Sequence, residues 1–300
     1  MKNLVFDIGG TSIKYGVCEN DRLTETKELP THAQKGGAYI LETVISLIQT
    51  HSGYDAVGIS TAGQVHAEEG YIIYANQNIP GYTGVQYKKI LEERFHVPVA
   101  VENDVNAAAL GEAVYGAGRD CDQFLMLTYG TGVGGAVVND KKVFHGSSYS
   151  ASEFGAIVTH SEERLSGSDF FDGCYEKYAS TTGLVQMIKP YRPELDTGRK
   201  IFQALHDDTV MKIIDKWVDE IMLGLATLTH VYNPSCIILG GGIMAQPLIL
   251  QKIEEKKSRF IMPSFSHVHI TAAALGNSAG VLGANYLASQ SSIHFHGELQ

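Results

Sequence analysis

Apolar side chains come along this chain in short bursts, and most bursts end on glycine. NLVFDI, residues 3–8, is a run of branched and aromatic residues followed by Gly9 and Gly10, which predicts a buried strand stopping at a turn. IKYGVCE at 13–19 alternates as a returning strand, so the opening is a hairpin whose tip is nearly all backbone. Helical spacing follows over 38–49, then YDAVGIS at 54–60 reads as a strand ending at Ala62 and Gly63. VPVAVEND at 97–104 is another apolar strand that delivers polar residues at its C-terminal end. The alanine-rich VNAAALGEAVYG at 105–116 predicts the helix after it.

The pattern then repeats. From Gln123, QFLMLTYG predicts a strand, GTGVGG a turn, and AVV with KKVFHG the returning hairpin. Two strand–glycine–strand units, each followed by helices and further strands, predict duplicated α/β domains facing each other rather than one doubly wound sheet. Further on, 209–231 carries a long amphipathic helical pattern that Pro234 should stop. CIILGGGIM at 236–244 reads as a buried strand running into glycines, and a last helix is expected over 279–288.

Composition narrows the function classes. The 300 residues, 44% hydrophobic and 19% charged, suffice for two domains sharing one cleft. A net charge of -10 argues against a broad nucleic-acid-binding face. The apolar run after Lys2 is too short for a signal peptide and no run approaches a membrane span, so a cytoplasmic protein is expected. Cys18, Cys121, Cys174 and Cys236 lie far apart without a CxxC pair, as expected of reduced thiols.

Candidate chemistry sits where the strands end. In DIGGTSIK, Gly9 and Gly10 let backbone N–H groups approach phosphate oxygens, Thr11 and Lys14 add a hydroxyl and a cation, and Asp7 can hold magnesium through water. A glycine hairpin with a solvated Asp is the plainer alternative. TYGTGVGGAVV offers Gly130, Thr131 and Gly132 as a second phosphate loop; a dinucleotide loop should open a helix, whereas GGAVV continues as a strand. Gly240, Gly241 and Gly242, at another strand end, suit close approach to the flat face of a nucleotide. VENDVN puts Glu102, Asn103 and Asp104 at a strand–helix junction, where Asp104 can take a proton from an acceptor hydroxyl or simply cap the helix. Glu153 and Glu176 could accept from sugar hydroxyls, although spacing alone does not single them out. The 12 histidines form no HExxH pair, and His294 and His296 read as exposed tail residues.

Taken in order, DIGGTSIK, ISTAG, ENDVNAAALGE, TYGTGVGGAVV, SEFG and ILGGGI resemble the ROK (repressor, ORF, kinase) family of sugar kinases over nearly the whole chain. The resemblance implies two ribonuclease H-like, actin-like ATPase domains facing a central cleft and closing on ATP and sugar. One is expected at 1–105, joined by a C-terminal helix at about 283–300, and a larger one at 106–282. It implies Asp104 as general base and Asn103, Glu153 and Glu176 as sugar ligands, with Gly63 at the sugar side. Asp7, Gly9, Gly10, Thr11, Gly130, Thr131 and Gly132 match its phosphate and magnesium positions. A homodimer with a small-molecule sugar substrate is the family expectation.

One departure matters. Most members continue as GEIGH and CxCGxxGCxE, whose histidine and cysteines hold structural zinc; here Ala156 stands at the histidine, and Gly167 and Asp169 at the first two cysteines, leaving Cys174. No zinc site is therefore expected. SEFGAIVT is similar instead to the zinc-less bacterial β-glucoside kinases, which implies transfer to the 6-hydroxyl of a β-glucoside such as cellobiose. A glucokinase or an N-acetylmannosamine or other hexose kinase is the alternative. A sugar-responsive repressor would need a helix-turn-helix ahead of the DIGG strand, and an actin-like filament protein would need neither the END box nor the two glutamates.

Overall fold

A computed structural model describes residues 1–167 and 169–297, with the side chains of 294–297, including His294 and His296, outside the described set. The chain forms two compact units: Met1–Arg119 with Lys141–Ala151 and Asn277–Gln300, and Asp120–Asp140 with Ser152–Gly276.

The first unit is built on a sheet ordered β3-β2-β1-β4-β7. The opening hairpin is β1 (Lys2–Ile8) and β2 (Ser12–Glu19), extended by the edge strand β3 (Arg22–Pro30). After helix α1 (Gly37–Gln49), β4 (Ala56–Thr61) joins β1 in parallel. A small hairpin, β5 (Gln64–His66) and β6 (Tyr71–Tyr74), and helix α2 (Tyr87–Phe95) lead to β7 (Val99–Asn103), parallel to β4. Helix α3 (Asp104–Tyr115) follows without a break, the two-residue strand β10 (Lys142–Val143) belongs to this unit, and α10 (Ala279–Gly297) completes it.

The second unit repeats the theme in the order β9-β8-β11-β12. Here β8 (Gln123–Tyr129) and β9 (Val133–Asn139) form the antiparallel hairpin, while β11 (Cys236–Gly240) and β12 (His269–Ala272) add in parallel. Its helices are α4 (Ser161–Ser166), α5 (Tyr175–Ala179), α6 (Thr181–Ile188), α7 (Gly198–Gln203), α8 (Asp208–Tyr232) and α9 (Pro247–Phe260). Both sheets have the ribonuclease H-like arrangement of an antiparallel hairpin continued by parallel strands. Trp217 on α8 is fully buried, its indole N–H donating to the carbonyls of Ala179 and Ser180, so the ring fills the core without stranding its polar atom.

Several expected boundaries move. The first unit runs to Arg119 instead of 105 because α3 packs against α10. Helix α8 ends at Tyr232, with Asn233 as its left-handed cap at φ 49° directly before Pro234, as the sequence predicts. The strand expected over 236–244 stops at Gly240, since Gly241 turns the chain at φ 97°. The returning segment KKVFHG is strand only at its first residues after Lys141. Helix α10 continues nine residues past 288.

The seam between α3 and α10 is made of backbone. A Cβ on Gly283 would lie 1.7 Å from the carbonyl oxygen of Ala107, and one on Gly111 would lie 2.4 Å from that of Ala279. Gly58 on β4 meets the Ala284 carbonyl in the same way, at 2.1 Å. Gly283→Ala should therefore destabilise the first unit by about 1–3 kcal/mol or more, the scale of overpacking a tight core. Chemical denaturation should register it as a loss in the transition of that unit.

Candidate active site

Strand register assembles the site of the first unit. Across β1, β4 and β7, Asp7 lies beside Ser60 and Ser60 beside Glu102; the next row is Ile8, Thr61 and Asn103. Ser60 donates to Asp7 Oδ1 at 2.7 Å. Gly280, in the first turn of α10, is a glycine because a Cβ there would press on the Asp7 carboxylate at 2.8 Å. Burial raises the Asp7 pKa, against the lowering effects of the Ser60 hydrogen bond and of Lys14, its cross-strand neighbour on β2. The turn itself is pinned: Gly9 N–H donates to the Ser12 carbonyl, and Thr31 donates through its N–H to Thr11 and through its hydroxyl to Gly9. Gly10 has nothing within 4 Å of a built Cβ, so its outer side is open.

The strand–helix junction is more tightly specified than its sequence suggests. Asn103, not Asp104, is the N-cap of α3, its Oδ1 accepting from the N–H groups of Val105 and Asn106. Its Nδ2 donates to the Gly63 carbonyl and to Asp104 Oδ1, both at 2.9 Å. Every polar atom of the Asn103 amide is thus engaged within the protein, and a sugar hydroxyl could bond it only by displacing one of these partners. Asp104 Oδ1 also accepts from Val105 N–H. Loss of solvent around Asp104, then the nearby charge of Asp7, push its pKa up to about 6 despite the hydrogen bonds that lower it.

In the second unit the glycines divide by cause. Gly132 leaves room for Glu176, whose Oε2 would lie 2.5 Å from a Cβ there, and Gly155 does so from another side at 2.7 Å. Seated between them, Glu176 accepts from Val133 N–H at 3.3 Å, and burial raises its pKa, with the charge of Glu153 adding to the rise. Glu153 is exposed and precedes the short 3-10 turn Phe154–Ala156. Gly241 holds its place because a Cβ would meet the Tyr129 carbonyl at 2.2 Å, and Gly240 packs on Met126 and Thr128. Gly130 and Gly242, by contrast, have nothing within 4 Å. Both open glycines, with the exposed Thr131, line a cavity of about 1000 Å³. Much of its remaining wall comes from α6, α7 and the α7 cap, including Thr181, Thr197, Arg199 and Phe202, with Ile243 and Gln246 from the segment after β11.

Each unit thus gathers part of the expected site. Asp7, Gly9, Gly10, Thr11, Lys14, Gly63, Asn103 and Asp104 belong to the first; Gly130, Thr131, Gly132, Glu153, Glu176 and 240–242 belong to the second. Sequence reasoning missed Ser60, although ISTAG contains it, and missed Gly280 and the α6–α7 wall, for which no local pattern exists. Around the family's zinc positions, the space a Cβ on Gly167 would need is filled by Asp172 at 2.4 Å, and the Cys174 thiol donates to the carbonyls of Ala156 and Phe170 at 3.5 Å. No helix among the described residues is long and apolar enough to cross a membrane.

Comparison with known proteins supplies the context. The ROK family model matches residues 4–291. The chain is 40% identical over 293 residues to an uncharacterized protein of Clostridium perfringens, covering 94% of this chain and 96% of that one. It is 32% identical to a β-glucoside kinase of Listeria monocytogenes, covering 95% of this chain and 97% of the relative. Among solved structures, a ROK family glucokinase from Streptomyces griseus, in complex with glucose and AMPPNP, superposes with a TM-score of 0.81 at 30% identity, over 97% and 100% of the two chains.

The electrostatics of Asp104 give a first test. A carboxyl whose folded pKa exceeds its unfolded value contributes stability that is present at low pH and lost as pH rises through about 6. Asp104→Asn removes that burden, so the variant should melt above the wild type at pH 8 and lose the advantage by pH 4. An equal Tm difference at both pH values would contradict the raised pKa.

Proposed function

This chain belongs to the ROK family, and on that premise we propose that it is a sugar kinase carrying phosphate from ATP to the 6-hydroxyl of a β-glucoside such as cellobiose. ATP-dependent carbohydrate phosphotransfer follows from the family match across the chain and from the likeness to glucokinase and β-glucoside kinase relatives. The narrower acceptor class rests on one observation. At the partly exposed position 156, three residues from Glu153, the side chain is a single methyl, which leaves space for an aglycone or second ring beside the sugar. Likeness to the Listeria β-glucoside kinase supports the same choice.

The residues fit a nucleotide and a metal. Gly10, Gly130 and Gly242 leave open space where a Cβ would stand, although the Gly130 N–H donates to the Gly132 carbonyl at 3.0 Å; Thr11 and Thr131 add hydroxyl donors, and the cavity of about 1000 Å³ in the second unit has room for a nucleoside. Magnesium bound with ATP supplies charge neutralisation for the transferred group. Asp7 would hold that ion through water, its carboxylate oriented by the Ser60 hydroxyl. Glu153 and Glu176 accept from hydroxyls of the sugar ring. Asp104 takes the proton of the acceptor hydroxyl: at pH 7 a carboxylate with a pKa of about 6 is mostly ionised, yet more basic than an ordinary one. Asn103 acts here chiefly by fixing Asp104. The reading carries no structural zinc and a cytoplasmic homodimer as further expectations.

Two measurements test it. Asp104→Asn should lower kcat on the order of a hundredfold with the sugar still bound, and the wild-type kcat should rise with pH through about 6 as Asp104 loses its proton. ADP release should give a higher kcat/KM for cellobiose than for glucose. Ala156→His should invert that ratio, because bulk in the aglycone's space penalises the larger substrate. A wild-type preference for free glucose, or for N-acetylmannosamine, would instead assign the acceptor to the alternative hexose kinases.

A further inference from the structure

Glu102 lies directly before Asn103 and Asp104, yet it takes no part in the chemistry above. It is 1% exposed. Its Oε1 accepts from the Asn103 N–H at 2.8 Å and from Asn106 Nδ2 at 3.1 Å, and its Oε2 meets His145 Nε2 at 2.7 Å. Burying a carboxylate is strongly unfavourable unless it is paired. Both Oε1 donors are neutral, so the compensating charge falls to His145. His145 lies on Lys141–Ala151, a segment of the first unit that is flanked in sequence on both sides by the second.

The contacts close into a ring. His145 lies against Tyr149, with ring centroids 5.5 Å apart, and Tyr149 stacks on His66 at 3.9 Å. His66 ends β5, which begins just after Gly63, and the Gly63 carbonyl accepts from Asn103 Nδ2. Asn103 returns to Glu102 through its N–H. Tyr149 takes the left-handed conformation at φ 60°, which disfavours a side chain with a Cβ and is offset here by its two ring contacts. The charged and titratable groups around His145 are Glu102 on β7 and Glu68 in the β5–β6 turn; Glu68, Glu69 and Tyr71 face Tyr149. Hydrogen bonding to Glu102 is the main cause raising the His145 pKa, with Glu102 and Glu68 adding charge against the effect of burial.

We propose that His145 is a positioning residue for phosphoryl transfer, which holds Glu102, and through it Asn103 and Asp104, in the setting that the base requires. The inference rests on the kinase reading above. It differs from simple anchoring of a surface loop in what each predicts for catalysis: an anchor affects stability alone, whereas a positioning residue affects kcat through Glu102.

The test is a double-mutant cycle of His145→Ala and Glu102→Gln, with His145→Gln as the conservative variant. Tm and binding of a fluorescent ATP analogue report that each protein is folded. His145→Ala should lower kcat by about ten- to a hundredfold, the cost of slight misplacement of a reacting group, with a much smaller change in sugar KM. In the Glu102→Gln background the same substitution should cost little, because no buried charge remains to be matched. The protonated imidazole is present below its raised pKa and lost as pH rises through it, so wild-type kcat should fall on the alkaline side and Tm with it. His145→Gln should abolish that alkaline fall. An unchanged kcat in His145→Ala, or an equal loss in both backgrounds, overturns the proposal while leaving the kinase reading intact. Coupling in Tm between the two residues in a protein that phosphorylates no sugar overturns both.

Discussion

The first unit depends on two helices meeting backbone to backbone. Gly111 of α3 and Gly283 of α10 leave no side chain between the axes, and Gly58 lets α10 rest equally close on β4. Such a contact is rigid because it has no rotamers to exchange, and it fixes two helix starts at once. One carries Asp104; the other carries Gly280 against the Asp7 carboxylate. The separation of the two acids is therefore set by packing at positions that carry no functional group, which is how a scaffold holds the geometry of a site.

That geometry works against stability. Asp7 and Asp104 are both raised by loss of solvent, and the charge of Asp7 makes ionisation of Asp104 harder still. A protein selected only for stability would neutralise one of them. Instead the lowering influences are local: a serine hydroxyl and the Lys14 ammonium for Asp7, a backbone N–H and an amide for Asp104. Charge held at a cost in the free protein is the arrangement expected where a cation and a proton are to be received.

The extent to which the sequence was legible follows from the range of each interaction. Alternation next to glycine marks both hairpins, and a 3.6-residue period marks α8, because those signals lie within a few residues. The polar residues and glycines at the strand ends were legible for the same reason. Edge strand β3, RLTETKELP, was not, since most of its residues are exposed and no apolar face betrays it. Asn103 and Asp104 both have capping side chains, and only the fold decides that Asn103 takes the role. Glycines needed for packing, such as Gly132 and Gly241, read like those left open, such as Gly130 and Gly242, until their neighbours from other elements are known. His145 pairs with a residue 43 positions away, and no periodicity reaches so far.

The chain's two ends share one unit: Asn3 on β1 donates to Asn285 and Ser289 on α10, across 282 and 286 residues. On the ribosome this inverts the order of completion. The first 119 residues emerge early but lack α10, whereas the second unit, complete at Gly276, has every strand and helix it needs. At translation rates of roughly 5–20 residues per second, the nascent first unit waits on the order of ten to thirty seconds with the α10-facing surface of its sheet uncovered. Of these two units, the one begun earlier is thus the more exposed to chaperones and to misassociation, and synthesis that stops before residue 279 leaves one unit finished and the other unfinished.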